Sequence, residues 1–359
     1  SNPDIGAYEN ENAVSIHNSL IYVNTQGSDQ LGDGSQSLPF GSIQYAIDSS
    51  ADGDTVLVSA GTYYENIEVV EKDITIESEA GYLNTIIDGS SIGRVVHIHD
   101  GPTLPNNIEI NGFSIINGQI QYESGCGIHI NGANIESYVK IKNCKISNTT
   151  GANDWPNNDG TKGGGIYINS EVRVDIENTI IRDNISEEGA GIYIGGSINP
   201  VTLRNVMIHD NHAYFSGGGV KITGRTVNII NSSIFNNLSE VSHGGGIDIS
   251  DQGIAYISNS IMVNNIDAEG GCEGDDFFMN GASAEATISY SLLDLGCNFD
   301  GTLNWLDGNF QADPQFTDPD NGDYTLQFTS PCIDTGNPDL DGDGDNYLID
   351  SDDQDPDGT

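Results

Sequence analysis

Short apolar segments separated by glycine corners repeat through the middle of the chain. The segment Gly163–Ile168 recurs at intervals of 26, 28 and 27 residues as Gly189–Ile194, Gly217–Ile222 and Gly244–Ile249, and a longer first copy begins at Gly125. Between these copies apolar and polar residues alternate, which is typical of short β-strands rather than helices. A unit of this size cannot bury its apolar face alone, so the pattern predicts units that stack on one another.

Asparagine and aspartate recur at fixed positions after each copy, with offsets of five and six residues. The series is Asn143 and Asn148; Asn178, Asp183 and Asn184; Asn205, Asp210 and Asn211; Asn231, Asn236 and Asn237; Asn259, Asn264 and Asn265. Asparagine tolerates the left-handed backbone of sharp corners, and its amide can hydrogen-bond both the turn and the next asparagine. We therefore predict an all-β parallel solenoid with asparagine ladders at its corners and inward-facing isoleucine and valine.

A different pattern lies near the N-terminal end. Phe40, Ile43, Ala46 and Ile47 have helical spacing and follow Pro39. We predict a helix within residues 39–49 that covers the open end of the solenoid, where unpaired strand edges would otherwise invite aggregation.

Several short motifs resemble extracellular proteins of this architecture. Residues 39–47, 52–58, 61–63 and 65–67 resemble the opening of pectin-lyase-like domains, and residues 312–316, 323–326 and 330–336 resemble the closing motifs of the bacterial choice-of-anchor Q type. The resemblance implies a right-handed, single-stranded parallel β-helix over residues 11–336. It implies less about function, because the superfamily contains polysaccharide lyases and glycosidases as well as adhesins.

The two ends of the chain carry motifs that complete one another. Residues 4–9 match the motif that normally closes a choice-of-anchor Q domain, and residues 355–359 joined to residues 1–4 would regenerate that ending. We interpret residues 1–10 as the closing motif of a preceding copy or as a junction between subunits. This interpretation predicts other copies of the chain as partners, head to tail in an array or filament. The alternative is a chain that begins in the tail of a preceding domain.

The chain is strongly acidic. It has 11 Lys and Arg against 54 Asp and Glu, a formal net charge of −43, and no Lys or Arg follows Arg225. A nucleic-acid partner needs a basic surface to neutralise phosphates, so this composition argues against one. Apolar runs are too short to span a bilayer, so we expect no membrane insertion. The resemblance implies a secreted, extracellular or cell-surface protein.

The density of acidic residues is highest in residues 337–359, which contain nine of the 54. Carboxylates there have the spacing of a calcium loop at positions 1, 3, 5, 7 and 12, with Gly344 at the turn position, and a second loop of the same kind begins after it. The predicted calcium ligands are Asp339, Asp341, Asp343, Asp345 and Asp350 in the first loop and Asp353, Asp355 and Asp357 in the second. This tail resembles dockerin and thrombospondin type 3 repeats. The alternative is a solvated acidic linker.

A column of outward-facing side chains is the other candidate site. If the isoleucines of each copy point inward, the alternate residues face outward in one register: His97, His129, Tyr167, Tyr193, Lys221 and Asp248, beside an inserted segment that contains Trp155. Aromatic faces stack on sugar rings, and Tyr193 or Lys221 could serve a β-elimination as acid or base. Asp248 has no obvious carboxylate partner in the column for glycoside hydrolysis. The alternative is an ordinary exterior face on which stacked aromatics stabilise neighbouring coils.

The chain has five cysteines, an odd number. We predict a disulfide between Cys272 and Cys297, which would fit an exported protein. The pairing of Cys126, Cys144 and Cys332 stays open, with buried free thiols as one alternative.

Two functional hypotheses follow. The first is a non-catalytic, secreted, calcium-binding β-helix that acts as a repeating unit of a surface adhesin, stalk or filament. The alternative is a polysaccharide-active enzyme, either a lyase or a glycoside hydrolase, or a glycan-binding module without turnover. Both forms of the alternative use the outward column and have an extracellular polysaccharide as partner.

Overall fold

The chain winds into a coil in which each turn adds one strand to each of several parallel sheets. The computed structural model describes residues 19–99, 106–151, 160–196, 198–268, 276–295 and 300–337. One representative turn consists of Ile128–Asn131, Tyr138–Lys142, Lys145–Ser147 and Thr150–Gly151, after which the next turn begins at Ile166. The fold is the predicted right-handed parallel β-helix.

Four parallel sheets make up the described coils. The first sheet contains Leu20–Val23, Asp54–Val58, Ile74–Ser78, Asn107–Asn111, Tyr138–Lys142, Arg173–Glu177, Val201–Arg204, Thr226–Ile230, Ile254–Ser258, Glu285–Ser289 and Thr302–Trp305. The second contains Gly61–Tyr63, Thr85–Asp88, Ser114–Ile116, Lys145–Ser147, Ile180–Arg182, Met207–His209, Ser233–Phe235 and Ile261–Val263. The third contains Gln119–Ile120, Thr150–Gly151, Ile185–Glu188, His212–Ser216, Leu238–Ser239 and Ile266–Asp267. The fourth contains Ile67–Val70, Val96–His99, Ile128–Asn131, Ile166–Asn169, Ile192–Gly195, Val220–Thr223, Ile247–Ser250 and Phe277–Asn280.

Apolar side chains from successive coils form continuous columns inside the coil. Ile128 pairs with Ile166, which pairs with Ile192, and all three are fully buried. Burial of one such side chain is worth about 1.5–3 kcal/mol, so stacked columns stabilise coils that could not fold singly.

Two kinds of asparagine ladder run along the coil. The inner ladder is buried, and each Nδ2 donates to the Oδ1 of the next member at 2.8–3.0 Å; its members are Asn184, Asn211, Asn237 and Asn265, ending at Asp276. The outer ladder lies at corners with φ near +50°, where side chains bond between coils: Asn143, Asn178 and Asn205. Asparagine thus has the predicted structural role at both places.

The predicted cap is a short helix, Ile43–Ser49, with Ser42 as its N-cap residue. Two free backbone N–H groups of its first turn, those of Ile43 and Gln44, donate to the Glu65 carboxylate at 2.9 Å each. A carboxylate suits the positive end of a helix. The buried face of Ile43, Ala46 and Ile47 joins the end of the apolar core.

A C-terminal segment folds back against the second sheet. It contains an antiparallel hairpin, Phe316–Asp318 and Asp323–Leu326, with a 3₁₀ turn at Pro319–Asn321. The ring of Tyr324 lies 4.3 Å from that of Phe235, measured between centroids, and Phe316 lies 5.3 Å from Phe235. This aromatic cluster attaches the segment to the outside of the coil.

Candidate functional site

The outward column has the predicted register. Backbone pairing runs from His97 to His129, Tyr167, Tyr193, Lys221 and Asp248 on successive strands of the fourth sheet. Glu68 precedes this column and Phe278 follows it. Parallel strands in exact register therefore bring side chains that are far apart in sequence into one line.

The aromatic members of the column contact one another. The ring centroids of His97 and His129 are 5.0 Å apart, those of His129 and Tyr167 are 5.0 Å apart edge to face, and those of Tyr167 and Tyr193 are 5.3 Å apart and stacked. Such pairs contribute about 0.5–1.5 kcal/mol beyond their buried area. The column therefore stabilises neighbouring coils whatever else it does.

Tyr193 is not on an open face, contrary to the expectation for the column. It is only 9% exposed, because Lys162 at the end of the inserted segment places its Nζ 5.0 Å from the centre of the Tyr193 ring. Lys162 is in turn held by Glu188 at 3.1 Å. Burial raises the pKa of Tyr193, so its phenol stays protonated near neutral pH and cannot act as a base there.

Lys221 and Asp248 form a buried pair. Lys221 Nζ lies 2.7 Å from Asp248 Oδ2, and the two side chains are 12% and 4% exposed. The sequence suggested no carboxylate partner for Asp248; the structure gives it the neighbouring lysine instead. Burial raises the pKa of Asp248 and the Lys221 charge opposes that rise. Lys221 is therefore engaged inside the protein and is not a free base on a groove.

The His129 end of the column is more open. His129 Nδ1 lies 3.1 Å from the carbonyl oxygen of Ser124, which leaves Nε2 as an acceptor in the neutral ring. Burial, with the Arg94 charge as the next cause, lowers the pKa of His129 to about 4. His97 is held by Glu68 and Asn131, each at 3.1 Å. Both rings are thus fixed in orientation.

A cleft of about 740 Å³ opens beside this end of the column. It is lined by residues of three coils: Asn66, Ser91, Ile92, Gly93, Arg94, Gln119, Ile120, Gln121 and Glu123. Arg94 Nη2 lies 2.6 Å from Glu123 and 3.3 Å from the carbonyl oxygen of Ser124, which also bonds His129. The cleft and the column therefore meet at one carbonyl group.

Tyr122 stands at the edge of this cleft, between two of its lining residues. It is 67% exposed and its φ is +68°, in the left-handed region that is unusual for an aromatic residue. Strained backbone of this kind occurs preferentially at functional sites. The repeat pattern did not reveal Tyr122 or the cleft, since neither lies in the repeated motif. The rarity of basic residues was the one signal that could have drawn attention to Arg94.

Several predicted site residues lie outside the described part of the chain. They are Trp155, the proposed disulfide partners Cys272 and Cys297, and the tail carboxylates Asp339, Asp341, Asp343, Asp345, Asp350, Asp353, Asp355 and Asp357. The boundary proposed at residue 10 lies wholly outside the described residues, and the one at residue 337 is described on its N-terminal side only. In the described residues, three or more metal-ligating side chains do not come together anywhere. The same residues include no helix of the length and apolar character needed to cross a membrane.

The cysteines with described positions are free thiols. Cys126 and Cys144 are buried, and burial raises their pKa values to about 12 and about 11. Cys332 is partly exposed and burial also raises its pKa. Thiols of this kind are poor nucleophiles near neutral pH.

Comparison with solved structures gives the same fold as the one described above. No family model matches the sequence. YwoF, an uncharacterized protein of Bacillus subtilis (strain 168), is 25% identical over 203 residues, which cover 54% of this chain and 42% of YwoF. Pectate lyase Pel9A matches with a TM-score of 0.57 and 13% identity over 91% of this chain and 94% of its own. XylC, solved in complex with xylose, matches with a TM-score of 0.54 and 12% identity over 81% of this chain and 68% of its own. The chain thus shares the right-handed parallel β-helix fold of the pectate lyase.

Proposed function

We propose that this chain is an extracellular glycan-binding β-helix that holds a neutral polysaccharide in the Arg94 cleft and along His129 and Tyr167. One observation carries the proposal: the cleft and the open end of the aromatic column meet at the Ser124 carbonyl, so they form one continuous surface. A surface of this kind offers the exposed ring of Tyr122, the half-buried rings of His129 and Tyr167, and polar groups together.

The cleft has the size and chemistry of a sugar site. Its volume of about 740 Å³ is within the usual range of roughly 300–1,000 Å³ for ligand pockets. The amides of Gln119 and Gln121 can donate to and accept from sugar hydroxyls. Asn66 can accept through Oδ1, since its Nδ2 already donates to the carbonyl oxygens of Gly89 and Arg94. The exposed ring of Tyr122 supplies a flat apolar face at the rim.

The charge of the site favours a neutral ligand. Arg94 is the basic residue of the cleft lining, and Glu123 already neutralises it at 2.6 Å. The net charge of −43 repels polyanions over the rest of the surface. The names of the two fold neighbours, a pectate lyase and a protein bound to xylose, support carbohydrate as the ligand class.

The geometry favours binding over turnover. Tyr193 is covered by Lys162, and Lys221 is paired with Asp248, so neither weak catalytic candidate presents a free acid or base to the cleft. A glycan-binding module within an adhesin or stalk is consistent with both features. Calcium binding by the aspartate tail is proposed separately, on the spacing of its carboxylates.

The test is a binding screen against neutral and acidic polysaccharides, with product analysis of each mixture. We expect retention on a neutral glycan without new reducing or unsaturated ends. Tyr122→Ala and Tyr167→Ala should each weaken binding about three- to tenfold, the loss of one aromatic contact. Tyr256→Ala, at a 45%-exposed position on the first sheet, is the matched control and should bind normally. Release of sugar products, or equal weakening in all three variants, would contradict the proposal.

A further inference from the structure

Lys221 and Asp248 are placed unusually well for chemistry between them. They pair in register on adjacent strands of the fourth sheet, and their side chains meet at 2.7 Å with little exposure to solvent. Asp248 Oδ1 makes no hydrogen bond within the described residues. A buried ion pair loses much of its attraction to the cost of desolvation, above all when one carboxylate oxygen is unsatisfied.

We propose that Lys221 and Asp248 form an amide bond between Nζ and Cγ, a covalent link between two neighbouring coils. Nucleophilic attack begins when the nitrogen is roughly 3–3.5 Å from the carbonyl carbon. A nitrogen that hydrogen-bonds one oxygen of the same carboxyl group is already close to that distance. The register of the two strands fixes this approach, so little conformational freedom is lost in reaching it. The reaction therefore starts from a geometry that the fold already provides.

The reaction needs no other reagent. A proton passes from the Lys221 ammonium to the Asp248 carboxylate, which gives a neutral amine and a carboxylic acid. The Nζ lone pair then forms a bond to Cγ, one C–O bond of the acid breaks, and a second proton from nitrogen leaves with that oxygen. The products are one secondary amide and one water molecule, without change of oxidation state.

The surroundings favour the uncharged product of this reaction. Tyr193 pairs beside Lys221 and Phe278 pairs beside Asp248, so aromatic side chains flank the pair along the column. Burial raises the pKa of Asp248, which favours its carboxylic acid form, and low exposure to water favours the release of water as a product. The amide that results is uncharged and removes the buried ion pair altogether.

Two side chains are placed to carry the protons. The Ser216 hydroxyl lies beside the Asp248 carboxyl without meeting the geometry of a normal hydrogen bond, and it also lacks a partner among the residues described. Glu188 pairs with Ser216 on the neighbouring strand of the third sheet, its charge acts on Asp248, and Lys162 holds it at 3.1 Å. Glu188 is the stronger candidate because a carboxyl group can both accept and return a proton.

Intact mass spectrometry of the purified, fully reduced chain tests the proposal. We expect a mass lower than the sequence mass by one water, and a branched peptide that joins Lys221 to Asp248 after proteolysis. Lys221→Arg keeps the positive charge but has no amine able to react, so it should show the full sequence mass, as should Asp248→Ala. The rate of bond formation can be followed in protein that is isolated unfolded, before the link forms, and then refolded. There Glu188→Gln should slow the loss of water at least tenfold relative to wild type.

The mass of the wild-type chain tests the proposal without requiring any variant to fold. A wild-type mass equal to the sequence mass would overturn the proposal. So would a mass deficit that persists in Lys221→Arg, because the water would then have been lost elsewhere, for example by cyclisation at an aspartate. A branched peptide that joins other residues would overturn it equally.

Discussion

Arg94 and His129, from successive coils, both bond the carbonyl oxygen of Ser124, at 3.3 Å and 3.1 Å. The shared acceptor fixes both side chains at the junction of cleft and column. It also keeps the guanidinium close enough for its charge to disfavour protonation of the imidazole. His129 is therefore a neutral group with an available acceptor, which suits contact with sugar hydroxyls.

The first prediction concerns the pH dependence of stability. The pKa of His129 is about 4 in the folded chain and about 6.5 when unfolded, so between these values only the unfolded chain binds the proton. Stability should rise with pH from about 4 to 6.5 and should be lost as pH falls through this window. The contribution is up to about 3 kcal/mol in the unfolding free energy.

Urea denaturation of wild type and His129→Gln at several pH values between 4.5 and 7 measures this term. The difference between the two unfolding free energies should change with pH in favour of the variant at low pH. Tyr256→Gln, at an exposed position of the first sheet, is the control and should give a curve parallel to wild type. Parallel curves for His129→Gln as well would show that His129 does not carry the effect.

The second prediction concerns the inner asparagine ladder. Asn211 accepts from the backbone and side chain of Asn184 and donates to Ile181 and Asn237, all inside the coil. Asn211→Ala would leave these buried groups unsatisfied, so we expect a loss of about 3 kcal/mol or more in thermal or denaturant unfolding.

Asn205→Gly is the matched change on the outer ladder. It keeps the left-handed φ of +56° accessible and removes only exposed hydrogen bonds, so it should cost less than about 1 kcal/mol. Equal losses in the two variants would mean that burial does not distinguish the two ladders.

The third prediction concerns Arg225, which is 1% exposed and bonds backbone carbonyl groups of neighbouring coils. Its guanidinium donates to the carbonyl oxygens of Asn199, Ser170, Gly195 and Val172. Burial lowers the pKa of Arg225 to about 10, so it still carries its charge at neutral pH. Arg225→Met should reduce the unfolding free energy by about 2–4 kcal/mol, because several buried carbonyl groups lose their donor.

Arg182→Met provides the comparison for this measurement. Arg182 pairs with Asp183 at 2.5 Å, but both side chains are about one-third exposed, and surface pairs contribute about 1 kcal/mol or less. If both variants lost the same stability in urea, the carbonyl contacts of Arg225 would not explain its burial.

The fourth prediction concerns calcium and the aspartate tail. Titration calorimetry should show calcium binding that is lost on replacing Asp339, Asp341 and Asp343 by asparagine, since neutral ligands bind the ion more weakly. Chelation should make residues 337–359 more sensitive to proteases, and magnesium should restore less protection than calcium. Replacing the exposed Asp318 and Asp323 instead is the control, and it should leave binding intact. If neither the heat signal nor the protease pattern responds to calcium, the tail does not bind the ion.

The repeat pattern was sufficient to predict the architecture. Copies such as Gly189–Ile194 keep apolar residues at every second position, and only parallel stacking with one copy per turn buries all of them. The same copies established the register of the outward column, because a slip of one residue would turn each isoleucine to solvent. The helix after Ser42 followed from its spacing of apolar residues.

The exposure of the column's side chains to solvent could not be predicted from that pattern. Alternation places Tyr193 and Asp248 on the outer side of their strands, yet Lys162 covers Tyr193 and Lys221 pairs with Asp248. Lys162 belongs to the inserted segment, whose path over the surface is not part of any repeat. The cleft likewise combines side chains from coils that are about 30 residues apart, between Asn66, Arg94 and Glu123.

The sequence by itself determined the coil, its core, its ladders and its register, because these depend on local alternation repeated at a constant interval. The tertiary structure decided which outward side chains meet solvent and which meet one another. Exposure and pairing depend on contacts between coils and on irregular segments, such as the approach of Arg94 to His129 across the Ser124 carbonyl. No periodic pattern encodes such contacts, because each of them occurs only once.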